Sequence, residues 1–227
     1  MLIRNGQNTI IRGNQITVAG RPGGVVALDS GSGNQVLDNV LDGGYHGHDL
    51  TGQGNDTPSG ADDGIVLQSE SGDTVQGNSI MNVFDAGVEG VDAVTGTSIA
   101  GNTITSAIFA GVSSYWCTHW QGNTVSGNTI SQSVQAIRVI YSVGALCDPA
   151  PAPGLCTDNT IAGNVLRNPL GTGITAIVVS LGPIAPMVTN NVLRGNDLAA
   201  GGISLTPLSG FTDGGANVCG PSGNFGC

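Results

Sequence analysis

Apolar and polar positions along the chain alternate in short bursts rather than in helical stripes. One phrase recurs: an aliphatic residue, two variable residues, Asn, one variable residue, then an aliphatic. It reads IRGNQI from Ile11, VLDNVL from Val36, VQGNSI from Val75 and IAGNTI from Ile99, then VSGNTI from Val125, IAGNVL from Ile161 and LRGNDL from Leu193. A second phrase follows each Asn: Gly or Ala, then apolar, variable, apolar. It reads GVVA from Gly24, GIVL from Gly64, GVEG from Gly87 and GVSS from Gly111, then AIRV from Ala136, GITA from Gly173 and GISL from Gly202. Alternation with a period of two marks a strand with one buried face.

Each repeat therefore holds at least two short strands separated by turn residues. The shortest repeat, from Asn78 to Asn102, is 24 residues long, too short for a strand plus a packed crossover helix. The consistent solution is a solenoid in which each repeat makes one coil and like strands stack as parallel sheets about 4.8 Å apart. Ile65, Leu67, Val88, Val112, Ile137, Val139, Ile174, Ile203 and Leu205 then point inward as aliphatic stacks. The seven recurrent Asn, from Asn14 to Asn196, suit a turn where side-chain amides hydrogen-bond from coil to coil.

These NTIxGNxI-type repeats resemble the right-handed parallel β-helix of pectin-lyase-like proteins, over roughly residues 8–206. The resemblance implies an all-β chain, a right-handed parallel β-helix solenoid of about seven coils. Residues 1–227 are expected to form one domain, with 207–227 as a C-terminal cap closed by a Cys219–Cys227 disulfide. Residues 1–10 enter the repeat without a capping helix, so end-on stacking into a homo-oligomer is an expected use of that edge.

Charge narrows the function classes. The formal net charge is −10, all six basic residues are Arg, and no Lys occurs. Nucleic acid and anionic membranes both require a basic footprint, and neither is expected as a partner. No apolar run reaches the roughly 18 residues of a membrane span. The five cysteines show no metal-binding spacing. Cys147 with Cys156 and Cys219 with Cys227 bracket short loops, with Cys117 left over, although five cysteines allow fifteen ways to form two bridges. Two such bridges point to an oxidising, extracellular or cell-surface location.

Long gaps between ladder Asn mark insertions at residues 42–61, about 142–157 and 179–187, which flank the Gly-apolar strand. If they project outward, that sheet becomes the floor of a groove, the default place for a ligand. Counting by parity, its outward rows read Val26, Val66, Glu89, Ser113, Arg138, Thr175 and Ser204, and Leu28, Gln68, Val91 and Tyr115. Asp62, Asp63 and Asp85 flank these strands, as do Trp116, His119 and Trp120. Carboxylates on adjacent coils, such as Asp63 and Glu89, are expected about 5–10 Å apart, a range that covers both glycosidase geometries. Arg138 is expected to bind a uronate carboxylate or hold Glu89 ionised, and Tyr115, Trp116 and Trp120 to stack on sugars.

A further, partial resemblance links ADDGI (Asp62, Asp63) and AIRVI (Arg138) to polygalacturonase-type hydrolases, which carry a DD pair and then GHG and RIK on later coils. Here the coil after DD reads DAGVEGV, and Ile140 stands where that family has its final basic residue. The expected catalytic set is Asp62, Asp63, Glu89 and Arg138, with Tyr115, Trp116, His119, Trp120 and Ser113 binding a polysaccharide. Ca²⁺ is a candidate cofactor, held by carboxylates of the His46, His48, Asp49 segment with Asp56, Asp62 and Asp63. Ligation through the His would point to a transition metal instead, and a solvated Gly-rich loop is the alternative to both. The expected activity is that of a polysaccharide hydrolase or of a lyase or epimerase. For the latter a base must remove the proton beside a neutralised carboxylate, and Tyr115, His119 and Arg138 are the candidates. The competing function is a non-catalytic surface, adhesin or fibre-forming β-helix that self-associates through its uncapped ends, in which Glu89 and Arg138 are merely an ion pair.

Overall fold

In the computed structural model the described residues are 1–18, 23–45, 60–143, 155–168, 170–180, 187–198, 201–206, 208–220 and 225. They build a right-handed parallel β-helix from three parallel sheets, the handedness that parallel crossovers adopt. One coil shows the plan. Ala86–Thr95 runs in the first sheet, Ser98–Ala100 in the second and Thr103–Ala107 in the third, before Ala110–Gln121 returns to the first. The path through the first sheet stacks eight strands, from Leu2–Arg4 through Gly24–Asp29, Asp63–Ser71, Ala86–Thr95, Ala110–Gln121, Gln135–Val143 and Thr172–Ser180 to Ile203–Thr206.

The turn between the second and third sheets explains the first sequence phrase. Asn39 Nδ2 donates to Asn78 Oδ1 at 3.0 Å, Asn78 to Asn102 at 3.0 Å, Asn102 to Asn128 at 3.0 Å and Asn128 to Asn164 at 2.9 Å. Asn14 begins this chain of bonds, and Asn217, outside the seven repeats, ends it by accepting from Asn196. The residue before each of these Asn has positive φ, as in Gly101 at 62° and Gly127 at 61°, a conformation that disfavours a Cβ. Asp38 fills the same place in the second coil.

A second stack, at the turn between the first and second sheets, is not part of the repeat phrase as read above. Asn34, Asp73, Thr97, Asn123, Asn159 and Asn191 lie five residues before successive ladder Asn. The backbone N–H of each donates to the side-chain oxygen of the next, as in Asn123 to Asn159 at 2.9 Å.

Inside the coils, Val36, Val75, Ile99, Val125 and Ile161 stack in register along the second sheet, and Leu41, Ile80, Ile104, Ile130 and Leu166 along the third. All are buried in one continuous core. The parity count slips by one residue on the second level of the first sheet. Gly24 pairs with Asp63, Val26 with Ile65 and Leu28 with Leu67, so Val26 and Leu28 are core and the outward positions are Ala27 and Asp29. A one-residue slip turns every side chain of a strand to the other face.

The disulfide expectation for Cys156 also fails. It pairs in register with Trp120 and Val188, its side chain lies inside the core, and it is a thiol with Sγ 3.7 Å from Asn191 Oδ1. Cys147 and Cys227, its expected partner and that of Cys219, lie outside the described residues.

Candidate active site

The register of the first sheet sets one outward row: Leu2, Ala27, Val66, Glu89, Ser113 and Arg138, on successive coils. An open cleft of about 430 Å³ lies over the first of these, lined by Met1, Leu2, Ala27, Val66 and Gln68, with Asp63 and Glu89 also in its lining.

Asp63 stands at the start of its strand, and its Oδ1 accepts the N–H of Ala86 on the next coil at 3.0 Å. That bond pins the Asp63 carboxyl beside Glu89, three residues further along the same neighbouring strand. Asp85 belongs to the turn just before it. One oxygen from each of Asp63, Asp85 and Glu89 falls within 4.8 Å of the others. Asp63 and Glu89 are hydrogen-bonded to each other through their carboxyl groups. The expected separation of 5–10 Å is therefore corrected to direct contact, because the Ala86 bond and the adjacent coil draw the two side chains over one another.

Three carboxyl groups so close cannot all ionise. Burial, together with the charges of Glu89 and Asp85, pushes Asp63 up to about 9. Burial and the Asp85 charge push Glu89 up to about 7, with Arg138 and the hydrogen bond from Asp63 pulling it back. Asp85 is raised by burial, and Arg138 opposes the rise. Asp63 therefore keeps the proton and donates it in a hydrogen bond that the Glu89 carboxylate accepts. Asp62 is half-buried, and its charge also bears on Asp85 and Glu89.

Arg138 sits two coils above Glu89, with Ser113 between them in the row and buried. Its guanidinium carbon lies 4.2 Å from the centre of the Phe109 ring. Phe109 thus gives the one cation of the row a face to rest on while it attracts Asp85 and Glu89.

Trp120 is corrected from sugar platform to core. It is 1% exposed, and its ring fills the space that Gly90, on the inward side of the coil below, leaves open. His119 pairs with Ala93 beyond a break in register after Val91, and its half-buried ring has Nε2 enclosed with no hydrogen-bond partner. The backbones of Tyr115 and Trp116 run in the Ala110–Gln121 strand, but their side chains lie outside the described part of the structure. So do His46, His48, Asp49 and Asp56 of the Ca²⁺ expectation.

Among the described residues, Asp63, Asp85 and Glu89 form the group able to hold a metal. The arrangement fits a shared proton better. Ca²⁺ takes six to eight oxygens, Asp63 and Glu89 already engage each other, Ala86 occupies Asp63 Oδ1, and Arg138 supplies positive charge. Sequence reading placed Asp85 beside the strand but left it out of the catalytic set. The signal was present: Asp62, Asp63 and Asp85 precede equivalent strands on adjacent coils. Phe109 carried no signal, because nothing in the local pattern links it to Arg138.

No family model and no curated protein matches the chain. Among solved structures it is similar to an alginate lyase from Paenibacillus sp. str. FPU-7, at 14% identity and a TM-score of 0.43, covering 98% of this chain and 87% of that one. It is also similar to the catalytic unit of a thermostable GH87 alpha-1,3-glucanase from Streptomyces thermodiastaticus strain HF3-3. There the identity is 13% and the TM-score 0.38, and the match covers 100% of this chain and 62% of the other. These are likenesses of architecture.

Proposed function

We propose that the protein is a glycoside hydrolase acting on a polysaccharide laid across the coils of the first sheet. The observation that carries this reading is the carboxyl cluster at the cleft, in which Asp63 holds a proton at neutral pH while its neighbour Glu89 gives its own up more easily. Hydrolysis of a glycosidic bond needs such a pair, one group to protonate the leaving oxygen and one ionised group at the sugar.

Asp63 is the proton donor. Glu89, which faces the cleft, is the ionised partner. Asp85 sets their proton affinities, and Arg138 keeps the negative charge on Glu89 and Asp85 tolerable. In direct hydrogen-bond contact, the carboxyl groups of Asp63 and Glu89 are closer than the roughly 5–5.5 Å of retaining enzymes and far closer than the roughly 6.5–9.5 Å of inverting ones, so a sugar entering between them must part them.

The test is incubation of the full chain with a panel of neutral and uronic polysaccharides, with and without Ca²⁺. New reducing ends are followed together with ultraviolet absorbance from unsaturated uronate. Reducing ends without absorbance are expected. Absorbance appearing with the reducing ends would make the protein a lyase, and silence on every substrate would remove the enzymatic reading.

A further inference from the structure

Given the hydrolase reading above, we infer that the cleft accepts an uncharged polysaccharide, seating a sugar unit by its CH face on the stretch from Leu2 to Val66. Three observations carry this.

The cleft beside the carboxyl cluster is floored by Leu2, Ala27 and Val66, with Gln68 as a neutral hydrogen-bonding edge. No Arg, Lys or His side chain lines it among the described residues, and the ammonium of Met1, also in its lining, donates to Val25 O at 2.6 Å. Small and aliphatic side chains in one flat row match the apolar face of a sugar ring, and a Gln amide both donates to and accepts from hydroxyl groups.

Negative charge predominates around it, and the cations nearby have partners of their own. Asp62, Asp63, Asp85 and Glu89 gather together. Arg138 is turned towards Asp85 and Glu89 over the Phe109 ring. Arg4, on the first coil, is tied to Asp29 at 3.1 Å. A uronate carboxylate entering here would meet the charge of Asp85 and Glu89 with no guanidinium turned to receive it, since Arg138 already faces those two groups, and desolvation would sharpen the repulsion. The chain as a whole, at a net charge of −10, adds a field of the same sign.

Arg138, for which the sequence left open either a uronate or Glu89 as partner, is thus assigned the protein's own carboxyl groups. Specificity follows by exclusion as much as by fit.

The experiment uses the full chain carrying Asp63→Asn, in which turnover is expected to be too slow to consume the ligand during a titration. It is titrated calorimetrically with linear hexasaccharides of neutral glucans, xylan and mannan and with hexagalacturonate, at low and at 0.5 M salt, with and without Ca²⁺. At least one neutral hexasaccharide is expected to bind ten-fold or more tighter than hexagalacturonate, with little change in high salt. A second variant, Ala27→Trp, fills the floor and is expected to abolish that binding while the β-sheet circular dichroism stays as in the parent. Uronate binding that equals or exceeds neutral binding, with or without Ca²⁺, overturns the inference, as does the absence of binding by any hexasaccharide. The two claims separate in the wild-type chain. Cleavage of a uronan leaves the hydrolase reading standing and sinks this one, whereas neutral binding without any cleavage does the reverse.

Discussion

Gly90 and Trp120 share one space in the core: a Cβ on Gly90 would fall 2.5 Å from the Trp120 ring. The inward row that carries Leu67 on one coil drops to glycine on the next, and the largest side chain of the core lies across the gap. Trp120→Ala should therefore cost about 3–5 kcal/mol of stability, the usual range for emptying a packed aromatic site. Gly90→Val should destabilise by overpacking. Chemical denaturation measures both. If Trp120→Ala weakened sugar binding while leaving stability intact, the side chain would have to be exposed after all.

That pair also marks where sequence reading stops. The coil plan was legible because the phrase around each ladder Asn repeats with one aliphatic on either side, and both the stacking and the inward faces follow from it. The slip at Val26 was not legible. Gly23 and Gly24 offer two equivalent starting points, and only the pairing of Gly24 with Asp63 chooses between them. Glu89 and Arg138 were legible as members of one outward row two coils apart, and Asp63 from its place just before the strand on the coil below Glu89. The inward turn of Trp120 was not, since it follows a break in register after Val91 that the sequence does not announce.

The stack of Asn34, Thr97, Asn123 and Asn159 contains one ionisable rung, Asp73. It is 1% exposed, and burial, with the charge of nearby Glu70, pushes it up to about 7. Its Oδ1 accepts the N–H of Asn34 at 2.7 Å. A carboxyl raised in the folded state binds a proton that the unfolded chain releases near pH 4. The stability it contributes is complete below that pH and is lost as pH rises through about 7. Asp73→Asn restores an amide to the rung and removes the titration. It should stabilise the protein by about 1–3 kcal/mol at pH 8 and by little at pH 4. Thermal melts at the two pH values decide it, and an equal gain at both would show that the charge was not responsible.

The ladder at the other turn should show a gradient from its middle to its end. Asn128 is fully buried, accepts from the N–H and Nδ2 of Asn102, and donates to Ile99 O at 3.0 Å and to Asn164 Oδ1 at 2.9 Å. Asn128→Ala strands the Ile99 carbonyl and the Asn102 N–H in the core, and a loss of about 3 kcal/mol is expected from unsatisfied buried groups. Asn14 is exposed at the first coil, where water replaces what is removed. Asn14→Ala should cost under about 1 kcal/mol. Equal losses at the two positions would mean that the amide chain contributes no more inside than at its end.

The carboxyl cluster predicts opposite pH trends for activity and stability. Catalysis as proposed needs Asp63 protonated and Glu89 ionised. With Glu89 near 7 and Asp63 near 9, kcat/KM should rise as pH passes about 7, peak near 8 and fall beyond about 9, the two limbs belonging to the coupled pair. Both values are raised by folding, so the folded chain holds protons that the unfolded chain releases near pH 4. The stability they contribute is full below that pH and erodes as pH climbs through 7 and then 9. The protein thus works in the range where its own cluster weakens it. Asp63→Asn should lower activity by about 10²–10⁴-fold yet raise the melting temperature at pH 9 relative to the parent, with no gain at pH 4. Glu89→Gln should abolish the acidic limb along with most of the activity. A pH profile that is flat from 6 to 9 in the wild-type chain, or an Asp63→Asn variant less stable than the parent at pH 9, would remove the shared proton from the mechanism.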